Sequence, residues 1–305
     1  MKNVAGLGLL PCFLLCGGAM LAQDMQSDAV MPAPKVLLIM REYVKPGKTG
    51  AIHEKSEAAF VNASKAANWP THYVAVNSMS GRSRALFLMG YPTFEAWEKD
   101  NQAQEKNAAL SAAFDKASLS DGELLTDYDQ GVFTLDSENS LRPGDAVHAR
   151  YLEISSYRIK PGHRKDWMDL VKIYHDTFEK AVPDAHWALY DSYYGADNGG
   201  VYLVISTVKS LAEDDASMGD GKKLQEALGA EGMKHVSELT AACVESNQTN
   251  LFSMNPKMSY PAAEWIKADS FWAPKMETAG MKKPAGGNSS KTESAAMKKP
   301  AAANK

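Results

Sequence analysis

The sequence predicts an α+β protein made of two tandem β-α-β-β-α-β modules, packed sheet to sheet as a pseudo-two-fold barrel with disordered ends. Two observations predict it. The first is a repeat: Lys45-Pro46-Gly47 recurs as Lys160-Pro161-Gly162, His72 through Ser78 as His186 through Ser192, Thr93 as Thr207, and Glu123-Leu124 as Glu238-Leu239. The offset holds at 114 or 115 positions, far beyond the roughly 20–50 residues of a solenoid unit. The second is that each copy switches between strand-like and helix-like periodicity in the same order.

In the first module, 36–141, Val36 to Val44 is apolar and β-branched enough for a strand, and Lys45-Pro46-Gly47 turns the chain. Thr49 to Ala67 reads as a helix with Ile52, Ser56, Ala59, Phe60 and Ala63 on its inner stripe, stopped by Asn68 and Pro70. His72 to Ser78 and Ala85 to Gly90 form a hairpin across Ser80-Gly81-Arg82-Ser83. Phe94 to about Phe114 is helical with a break, and Gly131 to Leu135 closes the module as a short strand. Residues 142–150 link the copies through Pro143-Gly144-Asp145.

The second module, 151–260, repeats the order more clearly. Tyr151 to Ile159 is a strand, and Trp167, Leu170, Val171, Tyr174, Phe178 and Ala181 then fall on one helical stripe. Trp187 to Tyr194 and Val201 to Ile205 form a hairpin, a helix runs past Leu224, Leu228 and Val236, and Leu251 to Met254 is the closing strand.

The ends differ from the body. Lys2, the apolar run Val4 to Leu21 and small Ala22 have the layout of a secretory signal over 1–22, followed by a linker at 23–35. A lipid-anchored alternative at Cys16 is weaker, because Leu14-Leu15 precede it. Removal of the leader leaves Cys243 as a lone thiol, so no intramolecular disulfide holds the fold. The tail, 261–305, reads as disordered and rich in Lys, Pro and Ala; Lys275 to Lys305 carries a net +5, and residues 23–274 a net −10. An acidic body argues against nucleic acid as partner of the folded part. No membrane span is expected after the leader. The expected location is the periplasm or the exterior, where the basic tail can contact acidic envelope polymers. A monomeric pseudo-dimer and a homo-oligomer both remain open.

The segment Tyr157-Arg-Ile-Lys-Pro-Gly-His-Arg-Lys-Asp-Trp167, with a weaker version at Arg41–Gly47, resembles the dimeric α+β barrel superfamily, ferredoxin-like proteins that include antibiotic-biosynthesis-type monooxygenases and NIPSNAP-like proteins. The resemblance implies a barrel with a cleft and names no reaction.

Chemistry is sparse in the sequence. The Lys-Pro-Gly segments are turns, and His72 and His186 read as hydrogen-bonded structural histidines. No metal and no cofactor are expected: His53 is read as lacking a second ligand at helical spacing, and Asp214, Asp215 and Asp220 miss the calcium-loop pattern. No phosphate-binding glycine loop or serine elbow appears. Strand alternation, with Leu152 and Ile154 assigned to the helices, puts Glu153, Ser155 and Tyr157 in the inter-sheet space, joined by His186, Tyr190 and Ser192. These six are the candidate ligand site, in the second copy, opposite an apolar wall of Val36, Leu38 and Met40. The function expected is an exported small-molecule-binding or envelope-associated protein without a catalytic constellation. The alternative, implied by the resemblance, is a cofactor-independent monooxygenase-like enzyme acting on a small aromatic or redox-active substrate.

Overall fold

The computed structural model describes residues 32–195 and 200–273. Both Lys-Pro-Gly segments turn the chain as their composition dictates. Gly47 and Gly162 sit at φ 78° and 85°, a region open to glycine and costly for other residues. The first half runs β1 (Val36–Val44), α1 (Ala51–Ala66), β2 (Tyr73–Ser78), β3 (Arg84–Tyr91), α2 (Phe94–Lys106), α3 (Ala108–Gly122) and β4 (Leu125–Leu141). The second repeats it as β5 (Tyr151–Ile159), α4 (Arg164–Ala181), β6 (Trp187–Tyr194), β7 (Val201–Val208), α5 (Leu211–Ser217), α6 (Asp220–Cys243) and β8 (Val244–Met254). A short helix, α7 (Ala263–Ala268), and a 3-10 turn at Ser270–Trp272 follow.

Thr93 caps α2, its hydroxyl accepting from the Ala96 amide at 3.1 Å, an arrangement that satisfies an otherwise orphaned donor. Its sequence counterpart Thr207 does not open a helix. It lies within β7, and α5 begins at Leu211.

The eight strands form one closed barrel in the order β1-β3-β2-β8-β5-β7-β6-β4. The barrel expected from the sequence is thus a closed one, in which the halves not only face each other but also share hydrogen-bonded edges. One seam pairs Val76 with Met254 and Ser78 with Phe252; the other pairs Thr134 with Asp191 and Leu135 with Tyr190. Closure removes the unpaired edges that two separate sheets would leave.

The barrel interior is one core drawn from both halves, with Leu37, Ile39, Val76, Leu152, Ile154 and Phe252 among its buried members. Helices cover the outside, where Ile159 and Leu189 pack with Trp167 and Leu170 of α4 and Val236 of α6. This reverses the expected facing of the first strand in each half. Leu152 and Ile154 point inward, and so do Leu37 and Ile39, whereas Val36 and Leu38 belong to an outer cluster with Tyr91 and Val132. Both faces are buried, so alternation alone carries no contrast that fixes the phase.

The tail expected to be disordered from 261 is also corrected. Trp272 is 1% exposed inside the barrel core, and its Nε1 donates to the Val147 carbonyl at 2.6 Å. Trp265 packs against it at 5.1 Å between ring centroids. The leader at 1–22, most of the 23–35 linker and residues 274–305 lie outside the described residues. Among the described residues, no helix is long and apolar enough to cross a membrane.

Candidate functional site

At the end of the barrel where β1, β2, β5 and β6 begin, the interior is not filled. A cavity of about 510 Å³ opens there, within the range of small-molecule sites. Small Ala188 on β6, opposite Ile205, leaves room, whereas Gly90 on β3, opposite Leu37, admits the ring of Pro34. Leu88, Leu152, Ile205 and Met254 supply apolar walls, and Trp265 of α7 forms part of the cover. Pro32 to Pro34 run across the same mouth.

Few polar groups reach this space. Tyr190 Oη donates to the Pro34 carbonyl at 3.0 Å, and burial pushes its phenol well above the ordinary tyrosine value. Thr71 and Tyr91 both donate to the Asp100 carboxylate, at 2.6 and 2.9 Å. His72 lines the cavity and stacks on Tyr260, with 4.7 Å between ring centroids. Its Nδ1 is buried without a hydrogen-bond partner. A buried polar atom left alone costs about 1–3 kcal/mol, and this nitrogen is closed off from the cavity itself.

The six residues proposed from the sequence do not converge. Tyr190 alone lines the cavity. Glu153 and Tyr157 point outward to the helices, in phase opposite to Leu152 and Ile154. Tyr157 stacks on Trp167 at 4.9 Å. Half-buried Glu153 has its carboxyl pushed up by burial and then by the charge of Asp214. Ser155 Oγ bonds the Thr249 hydroxyl of the neighbouring strand at 2.6 Å. Ser192 Oγ accepts from the Val201 amide at 3.0 Å, a hairpin contact. Both ring nitrogens of His186 lie at hydrogen-bond distance from backbone carbonyls, 2.7 Å from Thr207 and 2.9 Å from Asp184. The cavity belongs to both halves rather than to the second.

A second polar constellation lies outside the barrel in the first half, between β1, α1 and α3. It comprises Glu42, His53, Glu57 and Asp121, all buried. His53 and Glu57 sit one helical turn apart, so the reading that His53 lacks a partner at helical spacing is corrected. The inner face of α1 carries His53, Glu57, Val61 and Ser64, not the predicted stripe, and Ile52 is 49% exposed. The His53–Glu57 spacing was readable; the approach of Glu42 and Asp121 is tertiary and had no local signal.

No family model matches the chain, and no curated protein matches it. Among solved structures it is similar to an anthrone oxidase-like protein, at 13% identity and a TM-score of 0.47, covering 72% of this chain and 92% of that one. It is also similar to a chlorite dismutase variant from Candidatus Nitrospira defluvii, at 12% identity and a TM-score of 0.42, covering 74% of this chain and 92% of the other.

Proposed function

We propose that this chain binds a small, mainly apolar molecule, of the aromatic or quinone type, at the open end of its barrel. The observation that carries the reading is the cavity of about 510 Å³ with apolar walls from both halves. Apolar walls supply affinity through area removed from water. Export belongs to the same reading and rests on the apolar leader Val4 to Leu21; N-terminal sequencing of the mature protein tests it.

The test is titration with one- to three-ring phenols and quinones, followed by quenching of intrinsic tryptophan fluorescence and by native mass spectrometry. Binding at a hundredfold excess over Kd raises stability by about 2.7 kcal/mol. Ala188→Phe fills the cavity and should abolish both signals. Ligand binding that survives Ala188→Phe unchanged would remove the assignment.

A further inference from the structure

We propose that Glu42, His53, Glu57 and Asp121 bind one divalent first-row transition cation, of the manganese(II) or iron(II) type, as a structural centre outside the barrel. His53 Nε2 lies 3.0 Å from Glu42 Oε2, 3.6 Å from Asp121 Oδ1 and 3.8 Å from Glu57 Oε1. One ligand atom from each residue falls within 4.8 Å of all the others. Donors about 2.0–2.2 Å from a common ion stand roughly 3–4.4 Å apart, so small rotations close the shell.

Two further observations point to an ion. Two of the atoms that would bind it lack partners: Glu57 Oε1 and Asp121 Oδ1 are buried with no hydrogen bond, and so is the neighbouring Tyr73 hydroxyl. Glu57 and Asp121 are each only 2% exposed, and carboxylates so placed require a counter-charge or a proton.

The fold itself does not ask for these residues. At the repeat offset, Glu42 corresponds to Tyr157, His53 to Met168 and Asp121 to Val236. In the second half those three pack in an apolar cluster around Trp167. These three positions are therefore built once with oil and once with ionisable groups, while the counterpart of Glu57 is Lys172, at the surface and bonded to Asp176. In the first half, moreover, α1 turns His53 and Glu57 inward while Ile52 stays outside.

Donor chemistry sets the metal class. Three carboxylates and one imidazole, with no thiolate, suit manganese(II) or iron(II) better than soft-ligand metals, and the nitrogen disfavours calcium. All four side chains are closed from solvent, which leaves no position for a substrate. The ion would tie α1 and α3 to β1.

The full chain, unfolded and refolded with manganese(II) chloride and freed of excess, tests this by native mass spectrometry and electron paramagnetic resonance. One manganese per chain, a higher Tm than protein refolded with EDTA, and affinity lowered at least about a hundredfold in Glu57→Gln and Asp121→Asn support the site. Both substitutions keep size and hydrogen-bonding capacity, so they should fold. A cluster held by shared protons predicts the reverse: no bound ion, and Glu57→Gln as stable as the parent or more so. That result, or preferential binding of calcium over manganese, overturns the proposal.

Discussion

Trp272 is the sharpest test of the way the barrel is closed. It is 1% exposed, and its Nε1 donates to the Val147 carbonyl at 2.6 Å. A buried tryptophan removes about 200 Å² from water, worth about 5 kcal/mol at roughly 25 cal/mol per Å². Alanine keeps part of that area, and relaxation recovers a little, so Trp272→Ala should cost about 4 kcal/mol, within the usual range for such truncations. For a domain of this size that corresponds to a fall in Tm of about 10 °C. Trp272→Phe keeps most of the packing and loses the hydrogen bond, and should cost about 2 kcal/mol. Urea unfolding followed by far-ultraviolet circular dichroism reads both through the midpoint at constant slope. If Trp272→Ala loses less than about 1 kcal/mol, the C-terminal segment is not part of the core and the barrel closes without it.

Two further outcomes follow from the same coordinates. Asp269 feels burial, which raises its carboxyl pKa, but the Phe271 amide and Arg150 outweigh this and hold it below the ordinary 3.8. A folded pKa below the unfolded one gives stability that is present above pH 3.8 and lost as pH falls through the folded value. Asp269→Asn should therefore lower Tm equally at pH 6 and pH 8 and lessen the acid loss below pH 3.8. Cys243 is fully buried, and burial first, then the charge of Asp166, lifts its thiol pKa. Peptide-resolved alkylation at pH 8 should find it roughly a hundredfold slower than an exposed thiol, and equally reactive once unfolded; rapid labelling of the native protein would contradict that burial.

The sequence carried the order of elements well, because it is written in local chemistry. Lys-Pro-Gly turns are set by proline and glycine geometry, and the helix stripe of Trp167, Leu170 and Val171 faces the sheet as its spacing requires. What local chemistry could not carry was the phase of strands buried on both sides. Val36 and Leu37 are equally apolar, so only the closed barrel decides which looks inward. Glu153 was expected in the interior from strand alternation with Leu152 and Ile154 turned to the helices, yet the phase is the reverse. The tail was misread for a simpler reason: Trp265, Ile266, Phe271 and Trp272 were grouped with the lysine-rich segment after them, although they can bury substantial apolar surface. The candidate site was scarcely legible, since its cavity is a space between walls from both halves, which no local pattern encodes.

The two seams have a consequence for how this chain reaches its native state. β2 ends at residue 78 and waits for β8, which begins at residue 244; β4 waits for β6, which begins at residue 187. Until the second half exists, the first exposes two sheet edges with unsatisfied backbone groups and an uncovered apolar face. Contacts between segments so distant in the chain form late, because loop-closure entropy must be met before they stabilise anything. A first half that folded ahead of the second would present edges able to pair with another copy. Its equilibrium stability says nothing about that interval; yield on refolding should fall steeply with protein concentration, long before any change in the finished barrel.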